Sequence, residues 1–179
     1  MTFQELAKTR RSVRKYKPDP LPRESIERCL EAARLAPSAC NSQPWRFIVF
    51  ESNEEKARLA EAAFSGLSRP TKFAAEAPVL VAVVRDKAGY LSRLGGHFRD
   101  IQFSLIDIGI AGEHFILQAV EEGIGTCWIG WFNGKKVHKF LQLPKDSNVD
   151  ILISMGYPAD EAGDHEKKRK PLDEIREYR

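Results

Sequence analysis

The segment from about His97 to Glu122 constrains this chain more than any other. Ile101, Leu105, Ile108, Gly112, Phe115 and Ala119 hold a helical stripe, while Phe103, Ile106, Ile110, Leu117 and Val120 occupy the remaining sides. A helix that is apolar all round is buried all round. The chain has 179 residues, one domain at roughly 150 residues each, and a domain of that size has little interior for so long a helix. The expectation is that a second subunit covers one side. Gly109 and Gly112 each cost about 1 kcal/mol against alanine in a helix interior; they are either plainly destabilising or mark close approach of another backbone. Gly123 ends the helix.

Shorter elements surround it. Residues 2–9 read as a helix with Phe3, Leu6 and Ala7 on one side. A second helix runs from about Pro22 to Ala36, with proline in its first turn, Glu24 and Glu27 near its positive end, and a stripe of Ile26, Leu30 and Ala33. Trp45–Glu51 is short and β-prone, and reads as a buried strand. Ser52 and Glu55 make a capping box for a helix through about Phe64. Val79–Val84 is apolar on both faces and therefore central to a sheet. Asn133 caps a short helix to Leu141, and Val149–Met155 is a third strand.

Charge is distributed unevenly. Residues 8–17 carry Lys8, Arg10, Arg11, Arg14, Lys15 and Lys17 with no acid, and residues 167–179 are also net positive. The net charge is only +3, so the remainder is acidic. The basic ends are either solvated tails or two arms that converge on one anion, since like charges repel unless something negative lies between them. Cys29, Cys40 and Cys127 are widely spaced and show no CxxC pattern. The N-terminus has no apolar leader, and no apolar run is expected to reach the ~20 residues of a membrane span. A reduced, cytoplasmic single domain over residues 1–179 is the expectation, with no membrane partner.

Several familiar catalytic arrangements are missing. There is no Walker loop, no Gly-x-Gly-x-x-Gly, no Gly-x-Ser-x-Gly, and no metal-ligand spacing among His97, His114, His138 and His165. A cofactor is therefore expected to carry the difficult chemistry. Three blocks stand out: RRSVRKY (Arg10–Tyr16), PSACNSQPWRF (Pro37–Phe47) and GIGTCWIGWF (Gly123–Phe132). With GYP at Gly156–Pro158 and RKPL at Arg169–Leu172, their order and spacing resemble the FMN-dependent nitroreductase family over nearly the whole chain.

The resemblance implies an α+β fold, a mixed β-sheet flanked by helices, and an intertwined homodimer with flavin at the interface. It implies that Arg10, Arg11, Ser12 and Arg169 hold the FMN phosphate and ribityl chain, where forked guanidinium donors suit an anion, and that Arg14 lies by the pyrimidine edge. Pro37, Ser38, Asn41 and Gln43 form a loop reaching the flavin bound mainly by the other subunit. Trp128, Ile129 and Gly130 line the ring, with the Gly130 N–H offered to flavin N5 and Trp131 walling the cavity beside Trp128. Trp45 is assigned to the core, Cys40 and Cys127 behave as small hydrophobes, and Asp107 is structural, pairing with an arginine or a helix end. The tail at 159–179 extends onto the partner.

The reaction implied is ping-pong: NADH or NADPH reduces FMN at N5, and an electron-poor small molecule such as a nitroaromatic or quinone takes two electrons. The short connection Arg85–Gly96 leaves the acceptor pocket open or completed by loops. Two alternatives remain at this level: an FMN store or sensor without turnover, and a nucleic-acid-binding module. Against the latter, the aromatics lie in apolar runs rather than among the basic residues, so no nucleic-acid partner is expected.

Overall fold

The computed structural model describes residues 1–65, 71, 73–86, 101–159 and 167–179. The elements in chain order are α1 (Phe3–Thr9), α2 (Arg23–Arg34), β1 (Trp45–Phe50), α3 (Asn53–Phe64), β2 (Val79–Arg85), α4 (Phe103–Glu121), β3 (Gly125–Ile129), α5 (Gly134–Phe140) and β4 (Asn148–Gly156), with 3₁₀ turns at Ala39–Asn41 and Leu172–Glu174. The four strands form one sheet in the order β1-β2-β4-β3. All its ladders are antiparallel. The expected mixed character reduces to one parallel bridge between Ser12 and Thr126.

Alternation along the strands divides the core into two layers. Val79, Val81 and Val83 of β2 face Ile26, Cys29 and Ala33 of α2 and Ile108, Ala111 and Phe115 of α4. Leu80, Ala82 and Val84 face Leu59, Ala63 and Phe64 of α3 and Val137 of α5. The whole is an α+β sandwich of helices, sheet and helices. Trp45 packs against the α2/α4 layer as expected, and the Phe47 and Phe115 rings stack at 5.4 Å.

α4 begins at Phe103, and residues 101–102 are not helical; the expected start at His97 lies outside the described residues. By length and composition α4 is apolar enough to cross a membrane, contrary to the expectation that no run reaches that length. Here it lies against α2 and the sheet, with Asp107, Ile108, Ala111, Gly112, Phe115, Ile116, Leu117 and Ala119 buried. Leu105 and Ile106 remain exposed, and Gly109 has no atom within 4 Å of an added Cβ. Gly112 has a different neighbour from the backbone envisaged: its Cβ would lie 2.2 Å from the Trp128 ring.

Helix ends show where local sequence misleads. Ser52 makes no side-chain cap at α3, so that capping box is not formed. Thr2 and Glu5 form one at α1 instead, with Thr2 N donating to Glu5 Oε2 at 2.7 Å and Glu5 N to Thr2 Oγ1 at 3.3 Å. No residue of α1 is buried, and Phe3 is exposed. Gly123 terminates α4 with φ +72°, and Asn133 caps α5 by accepting from Lys136 N, both as expected.

At the C-terminal end of α4, Arg28 donates to both carboxylate oxygens of Glu122, at 2.6 and 2.5 Å. The Arg28 bond holds the Glu122 carboxyl at about 2, below its usual 4.5. A depressed folded-state value means the contribution is complete above the unfolded value and is lost as pH falls toward 2. The expected result is an acid-side decline in the urea midpoint between pH 4.5 and 2 that Glu122→Gln flattens. An identical decline in the variant would assign acid sensitivity elsewhere.

Candidate functional site

The RRSVRKY block runs extended beside β3. Val13 N donates to Thr126 O at 2.8 Å, and Lys17 N to Tyr157 O at 2.8 Å. Gly125 makes room for Val13, whose Cγ2 would lie 2.6 Å from an added Cβ. Tyr16 fastens the block from below: its hydroxyl donates to Val13 O at 2.6 Å and lies 2.7 Å from Ser154 Oγ. Gly156 leaves space for the Tyr16 ring and for Pro78, which explains the glycine of GYP. Burial raises the Tyr16 hydroxyl above its usual value, so it stays a neutral donor. Tyr16→Phe is expected to lower unfolding free energy by about 1 kcal/mol and to speed amide exchange at Val13; unchanged exchange there would remove the clamp.

Arg10, Ser12 and Arg14 gather near Cys127 of β3. Burial pushes that thiol up, against the opposing pull of Arg14, Ser12 and Arg10. Arg14 is exposed, with its guanidinium 6.0 Å from the Phe73 ring centroid. Arg11 departs from this group. It lines a separate groove of about 350 Å³ with Thr9, Lys17, Val120, Gly123 and Ile124, at the C-terminal end of α4.

The basic ends converge. Lys167 Nζ donates to the carbonyl of Lys8 and lies 3.5 Å from that of Ala7. Burial, then Arg10 and Arg169, holds the Lys167 ammonium below its usual value. Among the described residues, Arg10, Lys167 and Arg169 make no ion pair. Lys167 was missed in the sequence. The available signal was its spacing, two residues before Arg169, which puts both on one side of an extended strand.

Trp128 and Ile129 turn their side chains into the two core layers. The Ile129 side chain is buried in the α3/α5 layer, and the Trp128 ring packs over Gly112 of α4. Their backbone leads to Gly130, which is exposed with nothing within 4 Å of its added Cβ. Trp131 is 66% exposed.

Pro37, Ser38, Asn41 and Gln43 lie in a loop entering β1. Gln43 N donates to Ser38 Oγ and Gln43 Nε2 to Asn41 Oδ1, both at 3.0 Å. Cys40, Asn41 and Gln43 have φ of 52°, 52° and 43°, a left-handed conformation costing roughly 1 kcal/mol or more per residue. Cys40 is exposed, unlike the buried hydrophobe expected. Ala39 N donates to Asp107 Oδ1 at 3.0 Å, so Asp107 does pair with a helix end. This loop belongs to β1 and the α4 face, whereas Arg10, Ser12 and Arg14 belong to β3 and the Cys127 face. Three strand spacings, about 14 Å, separate those edges.

Fold and site together define an α+β domain with an anion-binding edge and a glycine-opened rim. The nitroreductase family model matches residues 7–157. An NADH dehydrogenase of Thermus thermophilus is 31% identical, over 93% of this chain and 90% of the relative. A crystal structure of a nitroreductase family protein from Clostridium difficile 630 is 32% identical with a TM-score of 0.81, covering 99% of this chain and 98% of that one. An FMN-dependent nitroreductase, also from Clostridium difficile, is 29% identical with a TM-score of 0.72, covering 94% and 92%. The chain belongs to the nitroreductase family, and thus to the oxidoreductases.

Proposed function

We propose that the protein is an FMN-dependent NAD(P)H oxidoreductase that works as a homodimer and passes two electrons to an electron-poor small molecule, a nitroaromatic or quinone. The observation carrying this reading is the cluster of Arg10, Lys167 and Arg169 beside Ser12. Cations drawn from both chain ends, with no acid paired to them among the described residues, form a site that a phosphate completes. Gly130 fits the flat part of the same ligand, because its exposed backbone has no side chain to keep a ring away.

FMN, when bound, supplies the two-electron relay between nicotinamide and acceptor. Arg10, Lys167 and Arg169 would neutralise its phosphate and Ser12 would add a hydroxyl. Arg14 would bring positive charge to the ring's polar edge. Arg11, turned to its own groove, is left out of the phosphate set. Ser38, Asn41 and Gln43 lie at the opposite sheet edge and serve the flavin of a second copy. Exposed Phe3, Leu105 and Ile106 give that copy apolar surface to cover, and Leu172, Ile175 and Tyr178 let the tail dock on it.

Purified protein is expected to be yellow, and NADH or NADPH under anaerobic conditions to bleach it; nitroaromatics and quinones should restore the colour. Colourless protein that FMN cannot reconstitute would overturn the reading. Yellow protein that neither nucleotide bleaches would make it a flavin store.

A further inference from the structure

Asp107 is the only buried acid among the described residues. It lies on α4, 3% exposed, with Oδ1 accepting the Ala39 N–H and Oδ2 buried without a partner. Burying a carboxyl group with one oxygen unsatisfied opposes stability, and a residue placed for stability alone would not need so polar a side chain. What Oδ1 holds is the amide at the start of the Ala39–Asn41 turn, where the turn itself offers no acceptor. Beyond it, three left-handed side-chain-bearing residues need fixing from outside the loop. The loop's internal bonds from Gln43 to Ser38 and Asn41 tie it to itself. The Asp107 bond ties it to the helix.

We propose that Asp107 is a positioning residue: by holding the Ala39 amide it fixes the 38–43 loop in the shape that reaches the flavin bound by a second copy of this chain. The inference rests on the FMN reading above.

The test titrates FMN into the flavin-free full-length protein and records visible circular dichroism of the bound flavin. Asp107→Ala is expected to weaken binding at least tenfold and change the dichroism. Asp107→Asn keeps an acceptor oxygen for Ala39 and should stay within threefold of the parent. Ala39→Pro removes the donor instead. Proline is tolerated at the first position of a turn after an extended residue, and Ser38 is extended (φ −146°, ψ 156°). This variant should reproduce the Asp107→Ala loss, and it carries the test should Asp107→Ala not fold. Mixed dimers then place the effect. Asp107→Ala on one chain and Arg10→Ala/Arg169→Ala on the other should leave one site of parental affinity per dimer. All three substitutions on one chain, paired with a parental chain, should leave none.

The reverse pattern in the mixed dimers would overturn the proposal. So would parental affinity and dichroism in Asp107→Ala together with a lowered melting temperature, which would reduce Asp107 to a structural role and leave the FMN reading intact. Parental protein that takes up no FMN would overturn both.

Discussion

Replacing Arg10 or Arg169 by alanine is expected to weaken FMN binding roughly ten- to hundredfold, the effect of losing a charge-assisted hydrogen bond. The convergence of the chain ends adds a second, less obvious expectation. Arg10 and Arg169 both act on Lys167, and among the described residues none of the three pairs with an acid, so in the flavin-free protein they repel one another. Removing either arginine should leave the melting temperature of the flavin-free form unchanged or raise it, while abolishing most of the increase that added FMN produces. Fluorescence titration and thermal melts with and without FMN read both effects. An arginine whose loss changes neither affinity nor the FMN-dependent rise does not belong to the phosphate site. A lower melting temperature in the flavin-free variant would show that the arginine supports the fold rather than waits for an anion.

Gly112→Ala is expected to destabilise the protein. Alanine gains about 1 kcal/mol of helix propensity over glycine, but its Cβ would lie 2.2 Å from the Trp128 ring. Overpacking of this kind costs about 1–3 kcal/mol, and Trp128 on the β3 ladder packs against the α2/α4 core. The clash outweighs the propensity, and a drop of several degrees in melting temperature should follow. Trp128→Phe in the same chain should recover part of it. Gly109→Ala is the control, since among the described residues its added Cβ meets nothing; no loss is expected from it within that part of the protomer. An unchanged melting temperature in Gly112→Ala would mean that Trp128 swings aside without cost.

Much of the fold is legible in the sequence because it follows from periodicity. β2 is apolar at every position from Val79 to Val84 and occupies the centre of the sheet. The stripe through Ile26 and Ala33 becomes the buried face of α2. Side-chain direction is less legible. Adjacent Arg10 and Arg11 look equivalent as letters, yet the extended chain sends them to different places. Nothing local to Trp128 announces that Gly112, sixteen positions earlier, is where its ring packs. Capping also escapes local inspection: Ser52 and Glu55 have the right spacing but leave the box unmade, while Thr2 and Glu5 make one. The left-handed run at Cys40 and Asn41 has no glycine to announce it. It follows Ala39, whose amide donates to Asp107, 68 positions away.

The placement of the 38–43 loop and the RRSVR segment on opposite borders of the sheet has a thermodynamic corollary under the proposed reading. A solitary chain owns half of each cavity, so self-association and pigment retention become reciprocally linked. Whatever factor pairing adds to affinity for the prosthetic group, the prosthetic group returns to the affinity of pairing. Dilution would bleach the protein by releasing its chromophore, with no electron transferred.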